Sequence, residues 1–179
     1  SKYIVYLPTI LMAKALILVD FENEWIDKNS EEYVGDISKV IERTNKLIDF
    51  CRARKYRIIF TRHVEKGSKG AWSEKSDGIR IISELHKQKS DTLITKNKIS
   101  PFYKTTMEKE LKDVGKIVVC GILTNNCVRS LVQDAYDRDF RITVIKDCCV
   151  SFDNKTQEFT FKDLKATREE IEFLDLGEF

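Results

Sequence analysis

Short apolar runs alternate with longer stretches of helical spacing along most of the chain. Ala15-Leu16-Ile17-Leu18-Val19 is uninterruptedly apolar, as a strand buried on both faces would be. Comparable runs predict strands at Arg57–Thr61, Thr92–Thr95, Lys116–Cys120 and Arg141–Ile145, with a last short one at Ile171–Leu174. Between them Ile37, Val40, Ile41, Leu47, Ile48 and Cys51 share one helical face, and Val128, Leu131, Val132, Ala135 and Tyr136 follow the spacing i, i+3, i+4, i+7, i+8. Further helices are expected over Ile79–Leu85, through Met107 and Leu111, and near residues 155–166. Residues 63–76 carry Gly67, Gly70 and several Ser and Lys, which predicts an exposed loop. Strand–helix alternation of this kind predicts an α/β domain: a mainly parallel sheet between two helical layers, a three-layer sandwich. Ligands of such sheets bind outside the carboxyl ends of the strands, where the strand order reverses.

Composition narrows the class. The chain has 179 residues, 42% of them hydrophobic, enough for one domain with a sizeable core. Its 31 basic and 29 acidic side chains leave a net charge of +2, which argues against a nucleic-acid binder. Seven Gly and two Pro leave no room for a long linker. Residues 1–11 are apolar and, with Leu11–Val19, loosely resemble a signal peptide. Lys14 breaks that run short of the roughly 18 apolar residues a membrane span needs. Cleavage near Ala15 would remove the strand that begins there. Residues 1–11 are therefore read as an N-terminal extension of uncertain origin, Met12 as a natural start, and 12–179 as a single domain with no membrane partner. Five cysteines at irregular spacing, with no C-x-x-C pair, point to a reducing, cytoplasmic setting. Two histidines, His63 and His86, make a histidine-rich metal site a poor expectation.

The candidate chemistry lies at the strand ends. The first strand runs into Asp20, the third into Lys96, and the fourth into Gly121-Ile122-Leu123-Thr124-Asn125-Asn126-Cys127. If these strands are neighbours, a carboxylate, an ammonium and a thiol converge on one rim. Cys127 opens the following helix, where the helix dipole and a nearby cation would lower a thiol pKa from about 8.5 toward about 3.5–7.5. Taken alone, Cys127 is as well explained as a buried core residue, Asp20 as a helix cap and Lys96 as a surface charge; their joint placement speaks against all three. Lys98 reads as a solvated neighbour or a member of a rim salt bridge, Cys51 and Cys120 as core, and Cys148-Cys149 as an adjacent pair whose disulfide would be strained. Trp25, Trp72 and Phe102 fall near the rim and could line a substrate pocket or simply pack; His63 reads as a pocket wall or a satisfied polar residue.

At these residues the chain resembles the isochorismatase-like cysteine hydrolases. Ala15-Leu16-Ile17-Leu18-Val19-Asp20-Phe21-Glu22-Asn23-Glu24-Trp25 is similar to that family's opening strand and aspartate, Thr95-Lys96-Asn97-Lys98-Ile99-Ser100-Pro101-Phe102 to its lysine segment, and Gly121–Val128 to its G-x-x-T-x-x-C-V turn. The likeness continues through Asp134-Ala135 and Asp147, over roughly residues 14–160. Each motif is weak alone; three in order at strand ends are strong. The resemblance implies a strand order 3-2-1-4-5-6 and a triad in which Cys127 attacks a carbonyl carbon, Asp20 shuttles the proton, and Lys96 stabilises the thiolate and keeps Asp20 ionised. It implies a cis peptide between Ile122 and Leu123 that aims the amides of Leu123 and Cys127 at an oxyanion. It implies a homo-oligomer acting on a small molecule, with no cofactor. Nicotinamidases of this superfamily carry a metal site with an Asp-x-His unit after the second strand; Thr61-Arg62-His63 stands there in this chain, which points to a metal-free branch and away from nicotinamide. Isochorismatases proper lack the cysteine, so Cys127 favours cleavage of an amide, ureido or carbamoyl group. An ether or ester hydrolase and a non-catalytic binding protein on the same fold remain as alternatives.

Overall fold

The computed structural model describes residues 12–179, so the expectations for residues 1–11 lie outside the described residues. Six strands form one all-parallel sheet: β1 (Ala13–Val19), β2 (Arg57–His63), β3 (Thr92–Lys96), β4 (Val114–Ile122), β5 (Arg141–Val150) and β6 (Glu172–Leu174). Their order is β3-β2-β1-β4-β5-β6, as expected. Four helices connect them: α1 (Ser38–Ala53), α2 (Met107–Glu110), α3 (Arg129–Tyr136) and α4 (Asn154–Thr167). The sandwich has the three layers that the alternation predicts.

The apolar runs explain the centre of the sheet. Ala15 to Val19 are completely buried in β1, and Ile117 to Cys120 are equally buried in the neighbouring β4. Each large apolar side chain so removed from water contributes about 1.5–3 kcal/mol. α1 buries Leu47, Ile48 and Cys51, and α3 buries Leu131, Val132 and Ala135, the faces their spacing predicts. α4 is capped by Asp153, whose carboxylate accepts the amide of Thr156 at 2.7 Å.

Three elements differ from the sequence expectation. Residues 79–85 are not a helix: a single 3-10 turn covers Asp77–Ile79 and the rest is bridge and turn. Their backbone groups are engaged by the segment after β1, where the Phe21 carbonyl accepts from the Ile82 amide (3.0 Å) and the Arg80 carbonyl accepts from Asn23 (2.9 Å). Ile79, Ile82 and Leu85 are buried by that pairing rather than by a helical face. α2 is a single turn, and β5 extends five residues past Ile145, after a register shift against β4 that pairs Gly121 with Cys149.

The reversal of strand order lies between β1 and β4, because β2 and β3 are built outward on one side and β5 and β6 on the other. At the carboxyl end of this pair the two backbones approach very closely. Gly121 has φ +144°, and a Cβ there would sit 2.2 Å from the Val19 carbonyl oxygen, so no other residue fits without moving β1.

Candidate active site

Each polar group of the site is delivered by a strand end. β1 stops at Asp20, whose φ of 52° turns the chain sharply off the sheet. This left-handed conformation, unfavourable for a residue with a Cβ, is held by the Asp20 amide donating to both the carbonyl and the hydroxyl of Thr61 on β2 (3.2 Å each). The Trp25 indole N–H closes the same corner by donating to the Asp20 carbonyl at 2.8 Å. Lys96 is the last residue of β3. Beyond it Ser100 donates to Asp134 on α3, tying the lysine segment to the helix that follows Cys127.

β4 runs through a cis peptide at Ile122–Leu123 into a π-helical turn, Thr124–Val128, that leads straight into α3. The Leu123 carbonyl accepts from both Asn126 and Val128 (3.1 Å each). Thr124 donates to the Gln157 side-chain oxygen at 2.7 Å, and the amide nitrogen of Gln157 donates to the Cys149 carbonyl at 3.2 Å. Gln157 of α4 thus pins the turn to β5.

These elements bring Asp20, Lys96 and Cys127 together. The Lys96 ammonium, wholly removed from solvent, lies 2.9 Å from Asp20 Oδ2 and 3.3 Å from Cys127 Sγ. It also reaches the Lys98 carbonyl (3.1 Å) and His63 Nδ1 (3.2 Å). An ammonium only donates, so His63 Nδ1 is the acceptor and its proton sits on Nε2. The other Asp20 oxygen, Oδ1, accepts from the Thr61 hydroxyl at 2.7 Å.

Burial and opposite charge compete at these groups. Burial alone pulls Lys96 down, but the Asp20 carboxylate and the Cys127 sulfur outweigh it and hold the ammonium above its ordinary pKa. Burial and then the Lys96 charge depress His63, which is therefore neutral. Cys127 goes the opposite way from the sequence expectation. Burial and the Asp20 charge together exceed the pull of Lys96 and push the thiol up to about 12. The helix-terminus argument fails because Cys127 is 6% exposed with a carboxylate beside it. The resting group is a thiol, with the Lys96 ammonium donating to its sulfur and the Asp20 carboxylate nearby.

A cavity of about 310 Å³ opens onto Cys127 and Asp20, with Trp25, His63, Trp72 and Leu123 in its wall. Trp25 and Trp72 meet with ring centroids 4.8 Å apart. Phe102 is not among the lining residues. The Ser100–Asp134 tie draws its segment toward α3, where the ring is buried with the Arg138 guanidinium over it at 4.2 Å. Glu32, Glu65, Ile99 and Asn126 complete the lining; Glu32 and Glu65 carried no sequence signal, since the segments that present them have no periodicity.

Glu22 also escaped the sequence reading. Its side chain is fully buried, with Oε1 accepting the His63 amide at 2.7 Å and Oε2 without a partner among the described residues. Burial and the neighbouring Asp20 push it up to about 10, so it is a neutral acid. No periodicity pointed to it, because the chain leaves the sheet at Asp20.

The residues at the metal position do not fit a cation. Thr61 is spent on Asp20, and His63 Nδ1 faces an ammonium. Among the described residues no three His, Cys, Asp or Glu side chains gather as a ligand set.

A model described as the Isochorismatase domain matches residues 14–171. Nicotinamidase 3 of Arabidopsis thaliana is 27% identical over 165 residues, covering 84% of this chain and 79% of the relative. A ureidoacrylate amidohydrolase of Rhizobium rhizogenes is 29% identical over 140 residues, 75% of this chain and 51% of the relative. The crystal structure of a cysteine hydrolase from Pseudomonas syringae pv. phaseolicola superposes with a TM-score of 0.85 at 21% identity, covering 99% of this chain and 95% of that one. A domain match over nearly the whole described chain, on a sheet of the same architecture, makes this protein a member of the isochorismatase family.

Proposed function

We propose that the protein is a cysteine hydrolase of small amide, ureido or carbamoyl compounds, working through an acyl-enzyme on Cys127. The observation that carries this reading is the buried Lys96 ammonium bridging Asp20 Oδ2 and Cys127 Sγ at the floor of a cavity. Ion pairing alone gives no reason to place a thiol there; a nucleophile with its base and a fixed positive charge does.

The chemistry balances on these groups. As Sγ forms its bond to the carbonyl carbon, the thiol proton passes to the Asp20 carboxylate, and the carbonyl oxygen becomes an oxyanion facing the Leu123 and Cys127 amides. Collapse breaks the C–N bond, and the leaving nitrogen takes the proton from Asp20, departing as ammonia or an amine. A water then gives its proton to Asp20 while its oxygen attacks the thioester. Release of the acid returns that proton to Cys127. A positioned proton acceptor contributes typically 10²–10⁴-fold and an oxyanion donor about 10²–10³-fold. Lys96 stays protonated throughout. It offsets the Asp20 charge in the resting state and the thiolate as it forms.

Five unpaired cysteines suit a reducing compartment such as the cytoplasm, and the family resemblance suits a homo-oligomer. Among the described residues no helix is long and apolar enough to cross a membrane.

The test is ammonia release across a panel of small amides, ureas and carbamoyl compounds, run beside Cys127→Ala. Turnover that vanishes in the variant supports the reading. Turnover retained without the sulfur, or confined to ethers and esters, overturns it.

A further inference from the structure

The cavity over Cys127 carries negative charge that the catalytic triad does not use. Asp20 is matched by Lys96, but Glu32 and Glu65 face the same space. Among the described residues Glu32 makes no ion pair, and Glu65 meets only the His63 ring at 3.7 Å. That ring is neutral, as the Lys96 proton donated to its Nδ1 requires. Lys66 and Lys98 line an adjoining cavity, which Glu65 and His63 also border, and neither lysine reaches the space over Cys127.

The aromatic side chains add a second, independent feature. Trp25 and Trp72 are tilted at 55° to one another in the wall, and Phe152, 53% exposed, packs edge-on against Trp25 at 6.2 Å. The Trp25 ring is fixed by its hydrogen bond to the Asp20 carbonyl. Indole faces next to carboxylates attract a cation through the ring quadrupole and direct charge together. A cation gains direct charge attraction from the two carboxylates, whereas a neutral molecule gains only what its N–H or O–H groups donate and an anion is repelled.

Resting on the amidase reading, we propose that the substrate is a cationic amide: a short molecule whose scissile carbonyl meets Cys127 while an ammonium or a quaternised ring nitrogen at its other end is held by Trp25, Trp72, Glu32 and Glu65. A space of about 310 Å³ limits the two ends to a few bonds' separation.

Matched probes test this. 5-Aminopentanamide is compared with hexanamide, and N-methylated nicotinamide with nicotinamide, for ammonia release by the wild-type protein and for binding to Cys127→Ala by calorimetry. The cationic member of each pair is expected to bind at least tenfold more tightly, with the advantage shrinking as salt is raised. Glu32→Gln and Glu65→Gln should each reduce the cationic-to-neutral ratio several-fold, through KM more than kcat. Equal binding, preference for the neutral members, or carboxamide variants that leave the ratio untouched would overturn the proposal. A cationic preference in binding with no ammonia released from any probe would uphold the pocket assignment and count against the amidase reading, so the two failures are separable.

Discussion

Cys120 and Cys127 lie seven residues apart on one strand and its exit turn, and burial pushes both thiols upward. Cys120 pairs with Leu18 of β1 inside the sheet, and the ionisable groups that act on it are the other thiols Cys148, Cys149 and Cys51. Around Cys127 the interior offers a carboxylate, an ammonium and an open cavity. The contrast teaches that burial by itself makes a cysteine inert. What turns one into a candidate nucleophile is a base already in contact that can take the proton when a carbonyl arrives. On the proposed mechanism Asp20, whose charge adds to burial in keeping the thiol protonated at rest, supplies that base.

The sharpest way to break the comparison is to remove each sulfur in turn. Cys127→Ala should lower kcat at least about 10³-fold with little change in Tm. Cys120→Ala should leave kcat within about twofold and cost stability of about 1 kcal/mol. Steady-state ammonia release with thermal melts on both variants checks this, and similar kcat losses in the two would erase the distinction.

Removing one charge of the pair comes next. Lys96→Met leaves Asp20 buried without its partner, and loss of one member of a buried ion pair costs about 3–5 kcal/mol. Chemical denaturation should show that loss, and Asp20→Asn/Lys96→Met should recover much of it. A double variant no more stable than Lys96→Met would mean that the stranded carboxylate is not the cause.

A last prediction concerns Glu22. Its folded pKa is raised from 4.5 to about 10, so above pH 4.5 the unfolded chain releases a proton that the folded chain keeps. Its contribution to stability is therefore complete below pH 4.5 and falls as pH rises toward 10. Glu22→Gln, which keeps a neutral acceptor for the His63 amide, should fold normally and lose less stability than wild type between pH 5 and 9. Parallel stability–pH curves for the two would contradict the neutral-acid assignment.

How much of this was legible in the sequence follows from where its signal resides. The β1 run and its Asp20 terminus could be read because a strand buried on both faces has to be continuously apolar, so the first charge marks its end. Lys96 was legible only as the residue after a short run, Thr92–Thr95, that the structure buries at alternate positions, and the Cys127 turn as the segment after the Lys116–Cys120 run. Residues 79–85 misled because Ile79, Ile82 and Leu85 keep a three-residue spacing although their backbone bonds go to Phe21 and Asn23, a long-range pairing that local periodicity does not encode. Phe102 misled in a related way, its position being set by Ser100 and Asp134 rather than by distance from Lys96. The thiol's direction of shift was hidden as well. It depends on whether burial and Asp20 outweigh Lys96, a balance of depth and distance that spacing does not report.

The most direct test of the dual role assigned to Asp20 is peptide-mapped iodoacetamide labelling of Cys127 across pH 5–10, in wild type and in Asp20→Asn, with Cys120 as the internal control. The account predicts slow wild-type labelling that still climbs at pH 10, and a profile moved to lower pH in Asp20→Asn although that variant no longer turns over substrate. A wild-type plateau reached below pH 7, or a profile unmoved or moved upward by Asp20→Asn, would contradict it.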